Sequence, residues 1–244
     1  PDFLPLNRDR IAEQKWWEER VDYFDDLYAR WHNNKKGSWD AAQVFIQDKA
    51  VRDITKNAAR SNEPWCIFLA GGPGSGKSSV IRLLEEVGVP CSRAAHIDLD
   101  HNRGYLPAWN ADTGHPKNPD TVKATQTEAG FISELAATSC SRRGLCFVYD
   151  GTCRNAEYVL RQINDLKELC LRERGVELRV GIILVDTKVD ICKERCKKRE
   201  DATGRHVPPD FVIDCNRQSR KSFEMLREFV DFAGRVENND QPVL

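Results

Sequence analysis

The chain has 244 residues, a length that accommodates one large domain or one domain with a sizeable extension. Its 37 basic and 38 acidic residues give a formal net charge of -1, which excludes the strongly basic surface typical of proteins that bind nucleic acid. The longest apolar run covers residues 180–185 and is far shorter than the roughly 20 residues of a membrane helix. We therefore expect a globular protein that does not span a membrane, and the charge balance disfavours nucleic acid as a partner while leaving local basic patches possible.

The nine cysteines indicate free thiols rather than a disulfide framework. Several, such as Cys66 and Cys146, sit inside apolar runs, where a free thiol behaves as a small hydrophobe. Cys192 and Cys196 lie one helical turn apart, but no second ligand pair has the spacing of a zinc site. We expect a reducing, cytoplasmic compartment, although a chain that begins at Pro1 is also compatible with a trimmed targeting segment.

Two amphipathic helices are predicted before residue 63. The first covers residues 11–31, where apolar side chains recur every three or four positions. The second begins after Ser38, a predicted N-cap, and its predicted apolar face consists of Ala42, Phe45, Ile46 and Ile54. We expect residues 1–62 to form a helical hairpin extension and residues 63–244 to form the catalytic domain.

Short apolar runs alternate with helical segments in the remainder of the chain, as they do in βαβ units. Each run is almost continuously apolar, which is typical of parallel strands covered on both faces. The predicted strands are residues 65–70, 94–99, 145–149 and 178–185. The sequence therefore predicts an α/β fold with a doubly wound, mostly parallel sheet.

A glycine-rich segment between the first predicted strand and the following helix matches the phosphate-loop pattern G-x-x-x-x-G-K-[ST]. Glycines let backbone N–H groups surround phosphates, Lys77 would reach the β- and γ-phosphates, and the Ser78 hydroxyl would ligate Mg²⁺. We expect ATP or GTP and Mg²⁺ as cofactors. The predicted nucleotide-binding residues are Gly71, Gly72, Pro73, Gly74, Ser75, Gly76, Lys77, Ser78 and Ser79.

Acidic residues end the second and third predicted strands, where ligands bind in open α/β sheets. Asp98 and Asp100 would point the same way if the strand continued, one toward Mg²⁺ and the other toward the proton of an attacking hydroxyl. Asp150, followed by Thr152 and Arg154, suits a sugar-like or nucleoside acceptor. Capping of the next helix is the alternative role for these acidic residues.

A basic segment near residues 194–205 resembles the helical lid that small-molecule kinases close over the transferred phosphoryl group. Arg205, between Gly204 and Pro208, is the best-placed lid arginine. Either Arg195 or Arg199 would be the second, with a solvated helix face as the alternative for both.

With these motifs in this order, residues 65–232 resemble the zeta toxin family of P-loop kinases. The resemblance implies phosphorylation of UDP-N-acetylglucosamine on its sugar with ATP or GTP and Mg²⁺. It places the general base at Asp100 and the acceptor-binding motif at Asp150, Thr152 and Arg154. The substrate-helix carboxylate of the family falls on Glu128, with Glu134 as the rival assignment.

The chain also departs from the family pattern. The segments 101–105 and 108–120 differ in character, which predicts a remodelled acceptor pocket, and the N-terminal helices lie outside the family core. We hypothesise that these helices restrain nucleotide access or bind a protein partner, with simple core packing as the alternative. A non-catalytic nucleotide-binding module and a polynucleotide 5′-kinase remain alternative functions, and the near-neutral charge disfavours the second.

Overall fold

A computed structural model of the chain describes residues 39–240, in which five parallel strands form one sheet. The sheet has the strand order β2-β3-β1-β4-β5, so β1 is central and β2 and β5 are the edges. The strands are β1 (Trp65–Ala70), β2 (Ala95–Asp98), β3 (Phe147–Gly151), β4 (Arg179–Asp186) and β5 (Phe232–Glu237). The predicted parallel α/β fold is confirmed.

Helices connect consecutive strands throughout the described residues. Two short 3-10 helices, Cys91–Arg93 and Arg103–Tyr105, flank β2 and the helix that follows it. The α-helices are α1 (Ala41–Thr55), α2 (Lys77–Glu86), α3 (Leu99–Asn102), α4 (Pro107–Ala111), α5 (Pro119–Arg143), α6 (Ala156–Arg174), α7 (Val189–Thr203) and α8 (Pro209–Leu226).

Both faces of the sheet are covered. On one face, Leu69 and Ile183 of the central strands pack against Val80 and Leu84 of α2. Because side chains alternate along a strand, Phe68 points to the opposite face, and α5 and α8 also pack on the sheet. This burial on two sides explains why the central strands read as continuous apolar runs.

The described part of α1 differs in detail from its prediction. Ile46 and Ile54 pack with buried residues of the loop before α4 and of α5, as expected for an apolar face. Ala42 and Phe45 share the same helical periodicity but are exposed, because the buried cluster begins only at Ile46. The predicted cap Ser38 and the predicted helix at 11–31 lie outside the described residues.

All nine cysteines are free thiols, as predicted, and eight of them are buried. Cys192 and Cys196 belong to an apolar cluster with Val212. Within residues 39–240, no group of three His, Cys, Asp or Glu side chains is arranged to hold a metal ion. No helix in the same range is long and apolar enough to cross a membrane.

Candidate active site

The loop between β1 and α2 is held in shape by distant parts of the chain. Gly74 and Gly76 have φ values of 78° and 86°, in the left-handed region that glycine favours. The Ser75 carbonyl accepts hydrogen bonds from Thr187 Oγ1 at 2.9 Å and from Asn238 Nδ2 at 2.7 Å. The Ser75 hydroxyl is buried and has no hydrogen-bond partner among the described residues. The loop is thus a fixed concave backbone with an unused polar group, which suits a phosphate ligand.

Gly74 is also required for steric reasons, because a Cβ there would overlap the backbone carbonyl of Cys192. Gly175 also has a positive φ of 66°, but it faces open space. We expect Gly74→Ala to lower the free energy of unfolding by about 2–5 kcal/mol and Gly175→Ala by about 1–2 kcal/mol. Urea unfolding of the two variants checks this, and equal losses would contradict the steric explanation.

Lys77, the first residue of α2, faces the end of β3. Its Nζ donates to the Gly71 carbonyl at 3.0 Å and lies 3.6 Å from Asp150 Oδ1, while His96 Nε2 lies 3.7 Å from Asp150 Oδ2. Burial alone would raise the pKa of Asp150, but the charges of Lys77 and His96 outweigh it and hold that pKa below its ordinary value. The contact with Asp150 in turn raises the pKa of His96. Asp150 is therefore a buried carboxylate stabilised by two basic groups.

Asp98 ends β2 directly beside Asp150, its partner in the parallel register. Its Oδ1 accepts a hydrogen bond from the Asp100 backbone N–H at 2.8 Å, so it caps α3. The strand does not continue to Asp100, because α3 begins at Leu99. The alternation of side chains along a strand therefore does not determine the relative directions of the Asp98 and Asp100 carboxylates, as the prediction had assumed. Burial and the charges of Asp150 and Asp100 raise the pKa of Asp98. Asp98 therefore both caps α3 and lies beside Asp150, so capping does not remove it from the candidate site.

Two arginines converge on Asp100. Arg205 forms an ion pair with its Oδ2, and Arg103 Nε lies 3.6 Å from its Oδ1. Arg205 directly follows Gly204, which ends α7 with a φ of 72°. The structure thus brings the predicted general base and the predicted lid arginine into direct contact.

The other two lid candidates have different surroundings on α7. Arg195 donates to the carbonyls of Asn238 at 3.0 Å and Asn239 at 3.3 Å. Arg199 has a buried Nε without a hydrogen-bond partner among the described residues. Arg195 is therefore tied to the segment after β5, whereas Arg199 retains an unused donor.

The two candidate carboxylates of α5 face different helices. Glu128 accepts a hydrogen bond from Gln47 of α1 at 3.0 Å. Glu134 accepts a hydrogen bond from the Tyr158 hydroxyl of α6 at 2.6 Å. Burial raises the pKa of Tyr158, and the neighbouring Tyr149 and Glu134 raise it further, so this hydroxyl stays protonated as a donor. Glu134 also contributes to the raised pKa of Tyr149, so it lies near β3.

Thr152 and Arg154, which follow β3, both contact α8. The Thr152 carbonyl accepts a hydrogen bond from Ser219 Oγ at 2.5 Å. The Arg154 guanidinium lies 5.2 Å from the centre of the Phe211 ring, a cation–π contact. The loop after β3 is thus held on α8.

Three residues that contact the candidate site were not among the predicted site residues: His96, Thr187 and Asn238. His96 lies two positions before Asp98 on β2, and a polar residue within an apolar strand is a usable signal. Thr187 and Asn238 carry no such signal, because their role depends on the folding of distant segments onto the loop.

A glycine-rich loop after the central strand, carboxylates at two neighbouring strand ends and the predicted lid arginine form the arrangement that is expected of P-loop kinases. The zeta toxin family model matches residues 48–243, and the chain belongs to this family. The match begins within α1, before the predicted domain start at residue 63. A search of curated protein sequences finds no match.

Solved structures share the fold at low sequence identity. A protein of the PezAT chromosomal toxin–antitoxin system of Streptococcus pneumoniae is 21% identical, with a TM-score of 0.65 over 85% of this chain and 81% of that chain. A chain of the AvrRxo1-ORF1:-ORF2 complex with ATP is 14% identical, with a TM-score of 0.59 over 84% of this chain and 66% of that chain. These similarities support the fold, and the family assignment rests on the family model.

Proposed function

We propose that this protein is a kinase that transfers the terminal phosphoryl group of ATP or GTP to an alcohol hydroxyl of a small metabolite. A nucleotide-sugar such as UDP-N-acetylglucosamine is the proposed acceptor class. The observation that supports this most is the ion pair between Asp100 and Arg205. It lies beside the carboxylates that end β2 and β3, at the same carboxyl-terminal end of the sheet as Lys77. Family membership supports the same reaction type.

The residues around the phosphate loop fit a nucleotide and Mg²⁺. The backbone of Gly71 to Ser79 and the Lys77 ammonium suit the phosphates, and the Ser75 hydroxyl is buried there without a partner. Mg²⁺ commonly uses one or two protein oxygens together with water and phosphate oxygens, a set that the Ser78 hydroxyl and the Asp98 carboxylate can provide. The metal would neutralise charge on the phosphates.

Transfer requires Asp100 to exchange one partner. The acceptor hydroxyl takes the position of Arg205 at Asp100 Oδ2 and gives its proton to that carboxylate as its oxygen attacks the terminal phosphorus. The bond from that phosphorus to the nucleoside diphosphate breaks, and the diphosphate leaves. Arg205, released from Asp100, then stabilises the transferred group. We favour Arg199 as the second lid arginine over Arg195, because Arg195 already binds two carbonyls.

The acceptor would lie among Asp98, Asp150, Thr152 and Arg154, with one carboxylate from α5. The contacts favour Glu134 over Glu128 for this role. We expect Glu134→Gln to raise the acceptor KM about tenfold or more, because a hydrogen bond to a charged group is lost, with little change in the ATP KM. Glu128→Gln, the matched control, should leave both KM values nearly unchanged. The reverse result in steady-state kinetics would assign the carboxylate to Glu128.

Incubation with γ-labelled ATP or GTP and a library of nucleotide-sugars and metabolites, followed by mass detection of phosphorylated products, tests the function. A product heavier by one phosphoryl group is the expected result. Nucleotide binding without turnover would favour a regulatory module, and labelling of an oligonucleotide 5′ end would favour a polynucleotide kinase.

A protein partner is a separate part of the proposal. The fold is shared with a protein of a toxin–antitoxin system, which supports a search for a partner that controls this chain. We propose that such a partner acts through the N-terminal residues 1–62 and that the protein works in the cytoplasm. Co-purification of the full chain from its source cells, compared with a chain lacking those residues, tests the partner.

A further inference from the structure

Arg103 is the largest fully buried side chain among the described residues, with 2% of its surface exposed. Burying a guanidinium costs several kcal/mol unless its donors are paired, so such a residue needs a structural or functional reason. Burial lowers the pKa of Arg103, but an arginine side chain remains charged in a protein. A permanent positive charge is therefore fixed inside the domain, three residues after Asp100.

One turn of α5 fixes this side chain. The terminal nitrogen Nη1 donates to the Val122 carbonyl at 2.8 Å and to Thr125 Oγ1 at 2.6 Å, and Nη2 donates to Gln126 Oε1. The Trp109 ring of α4 lies 5.4 Å from the guanidinium carbon, within the range of a cation–π contact. The terminal nitrogens of the guanidinium are thus hydrogen-bonded to α5, and its carbon lies against the Trp109 ring of α4.

The inner end of the same guanidinium faces Asp100. Its Nε is buried, has no hydrogen-bond partner in the described part of the chain, and lies 3.6 Å from Asp100 Oδ1. Arg205 occupies the other carboxylate oxygen, Oδ2. The two oxygens of Asp100 therefore face two arginines, one fixed in the interior and one at the end of the lid helix α7.

We propose that Arg103 is the positioning residue of Asp100: it holds Oδ1 so that Oδ2 stays aimed at the acceptor hydroxyl after Arg205 moves to the phosphoryl group. This inference rests on the proposed kinase function. A carboxylate with both oxygens free would rotate and lose its alignment for proton transfer, because alignment within a fraction of an ångström decides the rate of such steps. Arg103 does not touch the reacting atoms and acts through Asp100.

Kinetics of two variants at position 103 test this role. Arg103→Met keeps most of the volume without the charge, and Arg103→Lys keeps the charge without Nε and the planar fork. We expect kcat to fall about 10–100-fold in the first variant and less in the second, with the ATP KM within about twofold of the original value. If the Met variant does not fold, the Lys variant carries the same test.

The control is Arg143→Met, which removes another partly buried arginine that donates to Thr55 Oγ1 at 2.9 Å, away from Asp100. This variant should lose stability in urea unfolding but keep kcat per folded molecule. An equal loss of kcat in the Arg103 and Arg143 variants, or none in either, would overturn the proposal.

A second measurement separates this proposal from the kinase function. The charged groups that contact Asp100 are Arg103, Arg205 and Asp98. In an Arg205→Ala background, we expect a crystal structure to show one orientation of the Asp100 carboxylate, and Arg103→Met in the same background to leave that side chain in more than one orientation. A single orientation that depends on Arg103, without any turnover by the unaltered protein, would reject the kinase function and keep the Arg103 contact. A single orientation in both variants would reject the proposal itself.

Discussion

Asp100→Asn is expected to reduce phosphoryl transfer by about 10²–10⁴-fold, because an amide cannot accept the proton of the attacking hydroxyl. Nucleotide affinity should remain within about twofold, since the phosphate loop takes its shape from Thr187 and Asn238 and not from Asp100. Product formation measured by mass, together with calorimetric nucleotide binding, gives both values for one preparation.

Asp53→Asn is the matched control for this experiment. Asp53 is a carboxylate of similar exposure, 37% against 38% for Asp100, and it also forms ion pairs, but on the surface of α1 with lysines. Its replacement should leave transfer unchanged, because exposed ion pairs contribute about 0–1 kcal/mol to stability and its ion-pair partners Lys49 and Lys56 lie outside the phosphate loop. Normal turnover in Asp100→Asn would refute the general-base assignment.

Lys77→Met is expected to weaken nucleotide binding about 10–100-fold, because it removes a charge-assisted hydrogen bond to the terminal phosphates. It should also destabilise the protein by about 3–5 kcal/mol, since the buried carboxylate of Asp150 loses the ammonium 3.6 Å away. Calorimetric binding and urea unfolding measure the two effects separately.

The double variant Lys77→Met with Asp150→Asn separates phosphate binding from stability. Neutralising the buried carboxylate removes the unpaired charge, so the unfolding free energy should recover by several kcal/mol. Nucleotide affinity should stay low, because the ammonium is still absent. Recovery of affinity together with stability would show that Lys77 acts only by supporting the fold.

The central strands were predictable because burial on both faces of the sheet requires a continuous run of apolar residues in the sequence. The predicted strand 65–70 coincides with β1, and the other three predictions overlap β2, β3 and β4. β5 was not predicted, because it is an edge strand in which only Val236 is fully buried and Phe232 is exposed. An edge strand needs fewer apolar residues, and its pattern resembles that of a loop.

Some parts of the candidate site were likewise predictable from local sequence, and other parts were not. The phosphate loop and Asp98 follow from local motifs, because each is a few consecutive residues at the end of an apolar run. The burial of Arg103 could not be inferred, since a charged residue is expected at the surface and its partners Val122, Thr125 and Gln126 are visible only once α5 is in place. Long-range partners of a polar group leave no periodic trace in the sequence.

The anchoring of the Ser75 carbonyl by Asn238 spans 163 positions of the chain. During synthesis, the loop therefore emerges long before the residue that braces it, and a nascent chain that ends within α8 has the motif without its support. A chain that lacks Asn238 should therefore bind nucleotide more weakly than the full chain, because its phosphate loop keeps only the brace from Thr187.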